Sequence, residues 1–131
     1  MFTSIKTSAK NRELVRILTK KLNLGTENHI ARIAITYSLA QRKKLDINNL
    51  LDSKGKEYSQ KVLFGNYSYI YTSLICTFYS ISRYDKDIAK YIKLHLDNGL
   101  ELLNNEINHN KNLIGYDYLI SKIEQGLKEI C

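Results

Sequence analysis

The stretch GTENHIARIAITYSLA, residues 25–40, decides the fold that the rest of the chain must support. Gly25 interrupts what precedes it, Thr26 is a good helix N-cap, and Glu27 suits a first turn, so a helix is predicted to begin here. The part of this helix after His29 is apolar on most sides and carries only three polar side chains, those of Arg32, Thr36 and Ser38.

A helix that is apolar around most of its circumference must be buried around most of it. A lone domain of 131 residues seldom surrounds a helix that starts so near its beginning. We therefore expect a second copy of the chain to cover it, so that the protein self-associates. The contact is predicted to involve one helical stripe, formed by Ile30, Ile33, Ala34 and Tyr37.

The residues before this helix predict a strand followed by an amphipathic helix. Residues 2–7 are rich in β-branched and aromatic types, which is typical of a strand. Ser8 is predicted to cap a helix that runs to about Leu22, with basic residues on its outer face. The order of strand, basic helix, turn and apolar helix is that of a ribbon–helix–helix unit, whose strand pairs with the same strand of a second copy.

The predicted fold is therefore all-α with one short N-terminal strand, in a single domain of residues 1–131. A ribbon–helix–helix-like unit for DNA binding and self-association occupies residues 1–44, and a helical part occupies residues 45–131. Within that part we expect a short helix after Asp46, a loop at 52–56, and one or two helical turns at 57–64. Apolar residues at alternating spacings of three and four predict a helix over 67–78.

Two further helices are predicted towards the end of the chain. Asp85 is expected to cap a helix whose buried face runs to Leu103, and an asparagine-rich loop is expected at 104–112. The last helix is predicted from four apolar residues, Leu119, Ile123, Leu127 and Ile130.

Positive charge is concentrated in the first third of the chain. Residues 1–44 hold ten basic and two acidic side chains, a net charge of +8, whereas the remaining residues sum to −1. Localised positive charge indicates a polyanionic partner, most often nucleic acid. The residues predicted to bind the DNA backbone are Lys6, Lys10, Arg12, Arg16, Lys20, Lys21, Arg42, Lys43 and Lys44. The last three are also expected to end the apolar helix, where cations suit the negative end of the helix dipole.

Thr26 is added to this set because it begins the apolar helix. Backbone N–H groups at Gly25, Thr26 and Glu27 can bind a phosphate at the positive end of the helix dipole. Simple capping explains the same residues equally well. The ten tyrosines alternate with predicted core positions, so we interpret them as packing residues in preference to platforms for stacked bases.

No motif in the sequence predicts an enzyme. The three histidines have no metal-ligand spacing, and His95 is interpreted as structural. Cys76 is interpreted as a small buried hydrophobic residue, and neither it nor Cys131 has the basic neighbours that activate a thiol. We expect no cofactor, no bound metal and no membrane span, and a cytoplasmic location.

Several stretches, in order over about residues 2–100, resemble the DNA sulfur modification protein DndE family, the small subunit of bacterial DNA phosphorothioation systems. The stretches are Phe2–Ser8, Ala31–Ile35 with Tyr37–Leu39, Ser53–Glu57, Leu63–Gly65, and His95-Leu96-Asp97-Asn98-Gly99. The family's last block usually reads His-x-Asp-Asp-Gly, so Asn98 stands here in place of the second acid.

The resemblance implies a ribbon–helix–helix-like fold, self-assembly to a tetramer, and DNA binding through surface lysines. It also implies a preference for duplex or nicked duplex DNA and action beside the DndC and DndD subunits. Sulfur in such systems is mobilised by a separate cysteine desulfurase, so no thiol chemistry is implied for this chain.

Two other interpretations remain open from the sequence. The first is a ribbon–helix–helix transcriptional regulator or antitoxin, which would read bases with Ser4 and Lys6 on a paired strand. The second is a nuclease or sulfur carrier, which would need a carboxylate cluster or one of the two cysteines.

Overall fold

A computed structural model describes residues 2–109 and 115–130 of the chain. The first elements of the fold are a strand, β1 (Ser4–Lys6), and two helices, α1 (Ala9–Leu22) and α2 (Glu27–Ala40). A short strand, β2 (Glu57–Ser59), and a five-residue helix, α3 (Gln60–Phe64), follow. The remaining helices are α4 (Ser68–Tyr79), α5 (Ile88–His109) and α6 (Gly115–Ile130).

The predicted beginning of the chain is confirmed in detail. The Ser8 side chain accepts the N–H of Asn11 at 3.1 Å and caps α1. The face of α1 that packs inward is the predicted one, with Leu14, Val15 and Leu18 buried. Thr26 is the N-cap of α2. The mostly helical class with a short N-terminal strand is therefore confirmed.

The pairing of β1 differs from the prediction. The sequence predicted helical turns over 57–64, but residues 57–59 form β2, which pairs antiparallel with β1. In this register Ile5 lies opposite Tyr58, and both side chains point into the core. The strand thus finds its partner inside the same chain and does not need a second copy. This intrachain pairing does not support the regulator interpretation, in which β1 would pair across a dimer.

The apolar helix α2 is also covered inside the chain. It packs along α5, and Ile30, Ala31, Ala34 and Ile35 are fully buried. Our reason for expecting a second copy was therefore wrong, because the long helix α5 supplies the covering surface. Of the four residues predicted for self-association, Ile30 and Ala34 are inaccessible in this fold, while Ile33 and Tyr37 are half-buried.

The close approach of α2 and α5 depends on Gly99. A Cβ atom at this position would lie 1.9 Å from the carbonyl oxygen of Ala34, inside any permitted contact. Small residues at both positions let the two backbones approach directly, so that larger apolar neighbours such as Leu96 and Leu100 are fully buried beside them.

Two expectations for the second half of the chain need correction. The helix α5 continues to His109, so the predicted loop at 104–112 is helical over 104–109, and residues 110–112 lie outside the described residues. The helices α4 and α6 form as predicted, but much of each apolar stripe faces solvent. The exposed apolar side chains on these two helices are Ile70, Leu74, Ile120, Ile123, Leu127 and Ile130.

Replacing Gly99 with Ala is expected to destabilise the protein by about 2–3 kcal/mol, because the added methyl group forces α2 and α5 apart. The matched control is Gly126→Ala on α6, where a Cβ atom would meet nothing within 4 Å. That substitution is expected to stabilise the helix by roughly 0.5–1 kcal/mol. Urea unfolding of the two variants measures both values, and equal effects would contradict the close packing at Gly99.

Candidate nucleic-acid interface

The outer face of α1 carries a row of cations at four-residue spacing. Arg12, Arg16 and Lys20 are all exposed, as predicted from the helical period. The guanidinium of Arg16 donates to the Glu13 carboxylate at 2.8 Å and 3.1 Å, so part of its charge is offset locally. The side chains of Arg12 and Lys20 form no hydrogen bond or ion pair with another described residue.

Lys10 and Lys21 lie on the side of α1 that borders α5. The Lys10 ammonium is 3.9 Å from the Glu101 carboxylate, and the Lys21 ammonium donates to the Asn108 side chain at 3.4 Å. Both contacts are surface contacts, which contribute little to stability and leave the cations able to move towards a phosphate.

The second group of cations follows α2. The sequence placed Arg42, Lys43 and Lys44 at the end of this helix, but α2 ends at Ala40, and Arg42 adopts a left-handed backbone with a φ of 58°. All three side chains are exposed. They are separated from the turn after α1 by the fourteen residues of α2, a length of about 20 Å.

Lys6 and Thr26 complete the predicted set. Lys6 is exposed on β1, opposite Glu57 of β2. At the start of α2, the Thr26 N–H donates to His29 Nδ1 at 3.3 Å, and the Thr26 hydroxyl donates to the Asn28 side chain. The Glu27 carboxylate lies 3.7 Å from the Lys56 ammonium. These contacts are those of a capped helix start, and a phosphate role for Thr26 remains a prediction.

The block His95–Gly99 is a buried structural element. His95 Nδ1 is 2.8 Å from the Ser38 hydroxyl, and His95 Nε2 is 2.6 Å from the Tyr79 hydroxyl. Asn98 donates to the same Ser38 oxygen at 2.7 Å. Burial lowers the pKa of His95 to about 4, so the ring is neutral near pH 7. The structural interpretation of His95 agrees with these contacts.

Asp97 is the centre of a second buried network. Its carboxylate pairs with the Lys93 ammonium at 3.0 Å and accepts hydrogen bonds from the Ser8 N–H and the Asn11 side chain. Lys93 also donates to the carbonyl oxygens of Lys6 and Asp52. The acidic residue of this block is therefore used to join β1, α1 and α5.

A third polar cluster was missed by the sequence analysis. Glu106 on α5 accepts hydrogen bonds from the hydroxyls of Tyr37 and Tyr118, and it forms an ion pair with Lys122 on α6. Burial alone would raise the pKa of Glu106, but the contacts with Lys122 and the two tyrosines lower it. The separation of these residues in sequence, from 37 to 122, left no local pattern from which the cluster could be predicted.

The surroundings of Cys76 do not favour an ionised thiol. Cys76 is half-buried at a cavity beside α4, and burial, followed by the charge of Asp85, raises the pKa of its thiol. Cys131 lies outside the described residues. Within residues 2–109 and 115–130 no group of three or more histidine, cysteine, aspartate or glutamate side chains is placed to hold a metal ion.

In the described part of the chain no helix is both long and apolar enough to cross a membrane.

The architecture is that of a mostly helical protein with an N-terminal two-stranded ribbon and a basic first third. The family model for the DNA sulphur modification protein DndE matches residues 4–111. Because this match covers most of the chain, the chain belongs to the DndE family, which takes part in DNA phosphorothioation modification. The match ends before α6.

Two solved structures share the fold. The crystal structure of DndE from Escherichia coli B7A, involved in DNA phosphorothioation modification, has a TM-score of 0.64 and 15% sequence identity, and the alignment covers 79% of this chain and 98% of that chain. The crystal structure of a DndE mutant with two glycines changed to lysine has a TM-score of 0.65 and 16% identity, with the same coverage of both chains. No curated protein matches the chain in sequence.

The neutral His95 predicts how stability depends on pH. Its pKa in the folded protein, about 4, lies below the ordinary value of 6.5, so the unfolded chain binds more protons between these values. Stability is therefore expected to fall as the pH is lowered from 6.5 to 4, by up to about 3 kcal/mol. Urea unfolding at a series of pH values measures this loss.

A His95→Gln variant is expected to lose most of this pH dependence. Equal pH dependence in the wild type and the His95→Gln variant would contradict the buried neutral ring.

Proposed function

We propose that the chain is a non-catalytic DNA-binding subunit of a DNA phosphorothioate modification complex, which holds duplex or nicked duplex DNA through surface lysines and arginines. The observation that carries this proposal is the set of exposed cations on α1 and after α2 that have no ion-pair partner among the described residues. Family membership supplies the context of DNA sulfur modification.

Backbone contact is a better explanation of this surface than reading of bases. The cations are long, flexible side chains on an exposed helix face and in the segment after α2, and such groups contact phosphates. The outward residues of the ribbon include the acidic Glu57 beside Lys6, which weakens any approach of the ribbon to DNA. We therefore expect binding that varies little with sequence.

A non-catalytic role is supported by the state of the polar residues. His95 and Asp97 are buried and bonded within the fold, and the pKa of the Cys76 thiol is raised. The chemistry of sulfur insertion is then assigned to partner subunits, DndC and DndD in the systems that the family serves. The complex acts on DNA in the cytoplasm.

Self-association forms part of the same proposal, on a surface that keeps only two of the four residues predicted from the sequence, Ile33 and Tyr37. Exposed apolar side chains lie on α4, where Ile70 is 55% and Leu74 is 47% exposed, and on α6. A groove of about 310 Å³ between α2, α4 and α6 includes Ile33 and Tyr37. Apolar surface of this kind is typical of a contact between copies, and we propose a tetramer.

Replacing both Arg12 and Lys20 with Ala is expected to flatten the dependence of DNA affinity on salt. Each lost phosphate contact reduces the log–log slope by about 0.9 on duplex DNA, so the double variant should lose roughly two units of slope. Fluorescence anisotropy on two unrelated duplexes over a salt series measures the slope, and the loss should be the same on both.

Lys128→Ala on α6 is the matched control, because Lys128 is an exposed lysine far from the basic third in sequence. It is expected to leave the slope unchanged. An unchanged slope in the double variant would place the DNA surface elsewhere, and a loss confined to one duplex would favour recognition of sequence.

Leu74→Lys is expected to dissociate the assembly without unfolding the chain, since Leu74 is already half exposed to solvent. The new charge would be buried without a partner at the contact between copies. Sedimentation velocity should show a monomer for the variant and a larger species for the wild type. A wild-type chain that sediments as a monomer at micromolar concentration would rule out self-association.

A further inference from the structure

An open cavity of about 390 Å³ lies between the outer side of α4 and the loop that joins α4 to α5. Its volume falls in the range of small-ligand sites, about 300–1,000 Å³. Neither the basic surface of α1 nor the buried networks around His95 and Asp97 accounts for it. The residues of its lining that matter here are Tyr69, Ser73, Cys76, Thr77, Arg83 and Tyr84.

The cavity brings flat π surfaces next to a fixed cation. Tyr84 is 80% exposed and Tyr69 is 68% exposed, which is unusual for side chains of this size. The Arg83 guanidinium lies 4.8 Å from the centre of the Tyr84 ring and donates to the Tyr84 hydroxyl at 2.6 Å. The pair is thus held together at the edge of the cavity, with its charge and most of its ring area in contact with solvent.

The side of α4 that faces the cavity carries a few hydroxyl groups within a mostly apolar lining. Ser73 and Thr77 are one helical turn apart and present hydroxyl groups, and Cys76 between them presents a thiol. The neighbouring stripe of α4 carries Ile70 and Leu74 and is apolar. A contact with another protein copy suits the apolar stripe, whereas hydroxyl groups beside aromatic rings suit a ligand that combines a flat ring with hydrogen-bonding edges.

We propose that this cavity binds one unpaired nucleotide of a DNA strand, with its base stacked against the Arg83–Tyr84 pair and Tyr69 and its phosphate on Arg83. The inference rests on the proposed DNA-binding function and names a second, structure-selective contact within it. Bases stack on tyrosine rings and on guanidinium planes. The edges of a stacked base can accept hydrogen bonds from hydroxyl groups and donate hydrogen bonds to them.

A second cation lies beside the Arg83–Tyr84 pair. A smaller cavity of about 210 Å³ shares Arg83 and Tyr84 and is also lined by Lys86, which provides a second cation for the adjacent phosphate. Asp85 lines that smaller cavity, and its carboxylate accepts the N–H of Asp87 at 2.8 Å before the start of α5. The Asp85 carboxylate therefore stabilises the turn that leads into α5.

The site should discriminate between paired and unpaired bases. A base inside an intact duplex has both faces covered by its neighbours, so it has no free face for Tyr84 or Tyr69. A base that is already outside the stack pays no unstacking cost, and it should enter the cavity with a gain in affinity of roughly tenfold from one stacking contact.

Three DNA duplexes of one sequence test the proposal: an intact duplex, a duplex with one extra unpaired 2-aminopurine, and a duplex with one extra abasic nucleotide. Anisotropy gives the affinity of each, and 2-aminopurine fluorescence reports stacking. The unpaired base should bind roughly tenfold more tightly than the other two duplexes and should lose fluorescence on binding. The abasic duplex has the same extra backbone position as the 2-aminopurine duplex but lacks the base at that position.

Tyr84→Ala should remove most of the preference for the unpaired base and leave the affinity for the intact duplex unchanged. Arg83→Gln should weaken binding of the unpaired-base duplex and reduce its salt slope by about one unit. Tyr116→Ala is the matched control, since Tyr116 is an exposed tyrosine on α6 and should change neither quantity.

Equal affinity for all three duplexes, equal binding of the abasic and unpaired-base duplexes, or an unchanged preference in Tyr84→Ala would overturn the nucleotide site and leave the basic DNA surface standing. Failure of the wild type to bind any of the three would overturn both proposals.

Discussion

The carboxylate of Asp97 is the contact on which the rest of the structure depends. It receives the Lys93 ammonium, the Ser8 N–H and the Asn11 amide, all in the interior. Lys93 in turn satisfies two backbone carbonyl oxygens, at Lys6 and Asp52. A buried charge is tolerated only when it is paired and hydrogen-bonded, and every partner here comes from a segment that must be in place for the fold to close.

This network fixes the position of α1, the helix that carries much of the basic surface. The residue that caps α1, Ser8, is also the residue whose N–H is bound by Asp97. The first turn of α1 is therefore fixed to α5 by a charged group in the interior. The cations on the outer face of α1 are presented from a helix that cannot shift its start, while their own side chains remain free to follow a phosphate backbone.

Local patterns in the sequence predicted local structure well. The cap at Ser8, the buried face of α1, the start of α2 and the face of α5 all follow from signals within a few residues of one another. The partner of a strand or helix was not predictable in this way. The strand β2 has only three residues, and the sequence favoured a helical turn there because α3 follows at once. The apolar character of α2 correctly predicted burial, but no pattern in residues 25–40 specifies whether α5 or a second copy covers it.

The candidate site shows the same division. The exposure of the α1 cations was predicted correctly because exposure follows the helical period, whereas the sequence placed the end of α2 at residues 42–44, beyond its actual end at Ala40. Periodicity did not predict which tyrosines are exposed. Tyr58 and Tyr118 are buried, in agreement with the packing interpretation, but Tyr69 and Tyr84 face solvent at a cavity. Their exposure depends on the path of the loop from α4 to α5, which periodicity does not predict.

The pairing of β1 with β2 has a consequence for the order in which the chain folds. Ser4 and Ser59 are partners although 55 positions separate them, and α2 finds its covering helix only at residues 88–109. Contacts between such distant segments form late, because closing the long intervening chain costs conformational entropy before the contacts can stabilise it. During synthesis, which proceeds from the N-terminus, β1 therefore remains unpaired until nearly half of the chain has been made, and α2 remains without its covering helix until most of the chain has been made. The basic first third is translated before the segments that cover it and is among the last parts to reach its final structure.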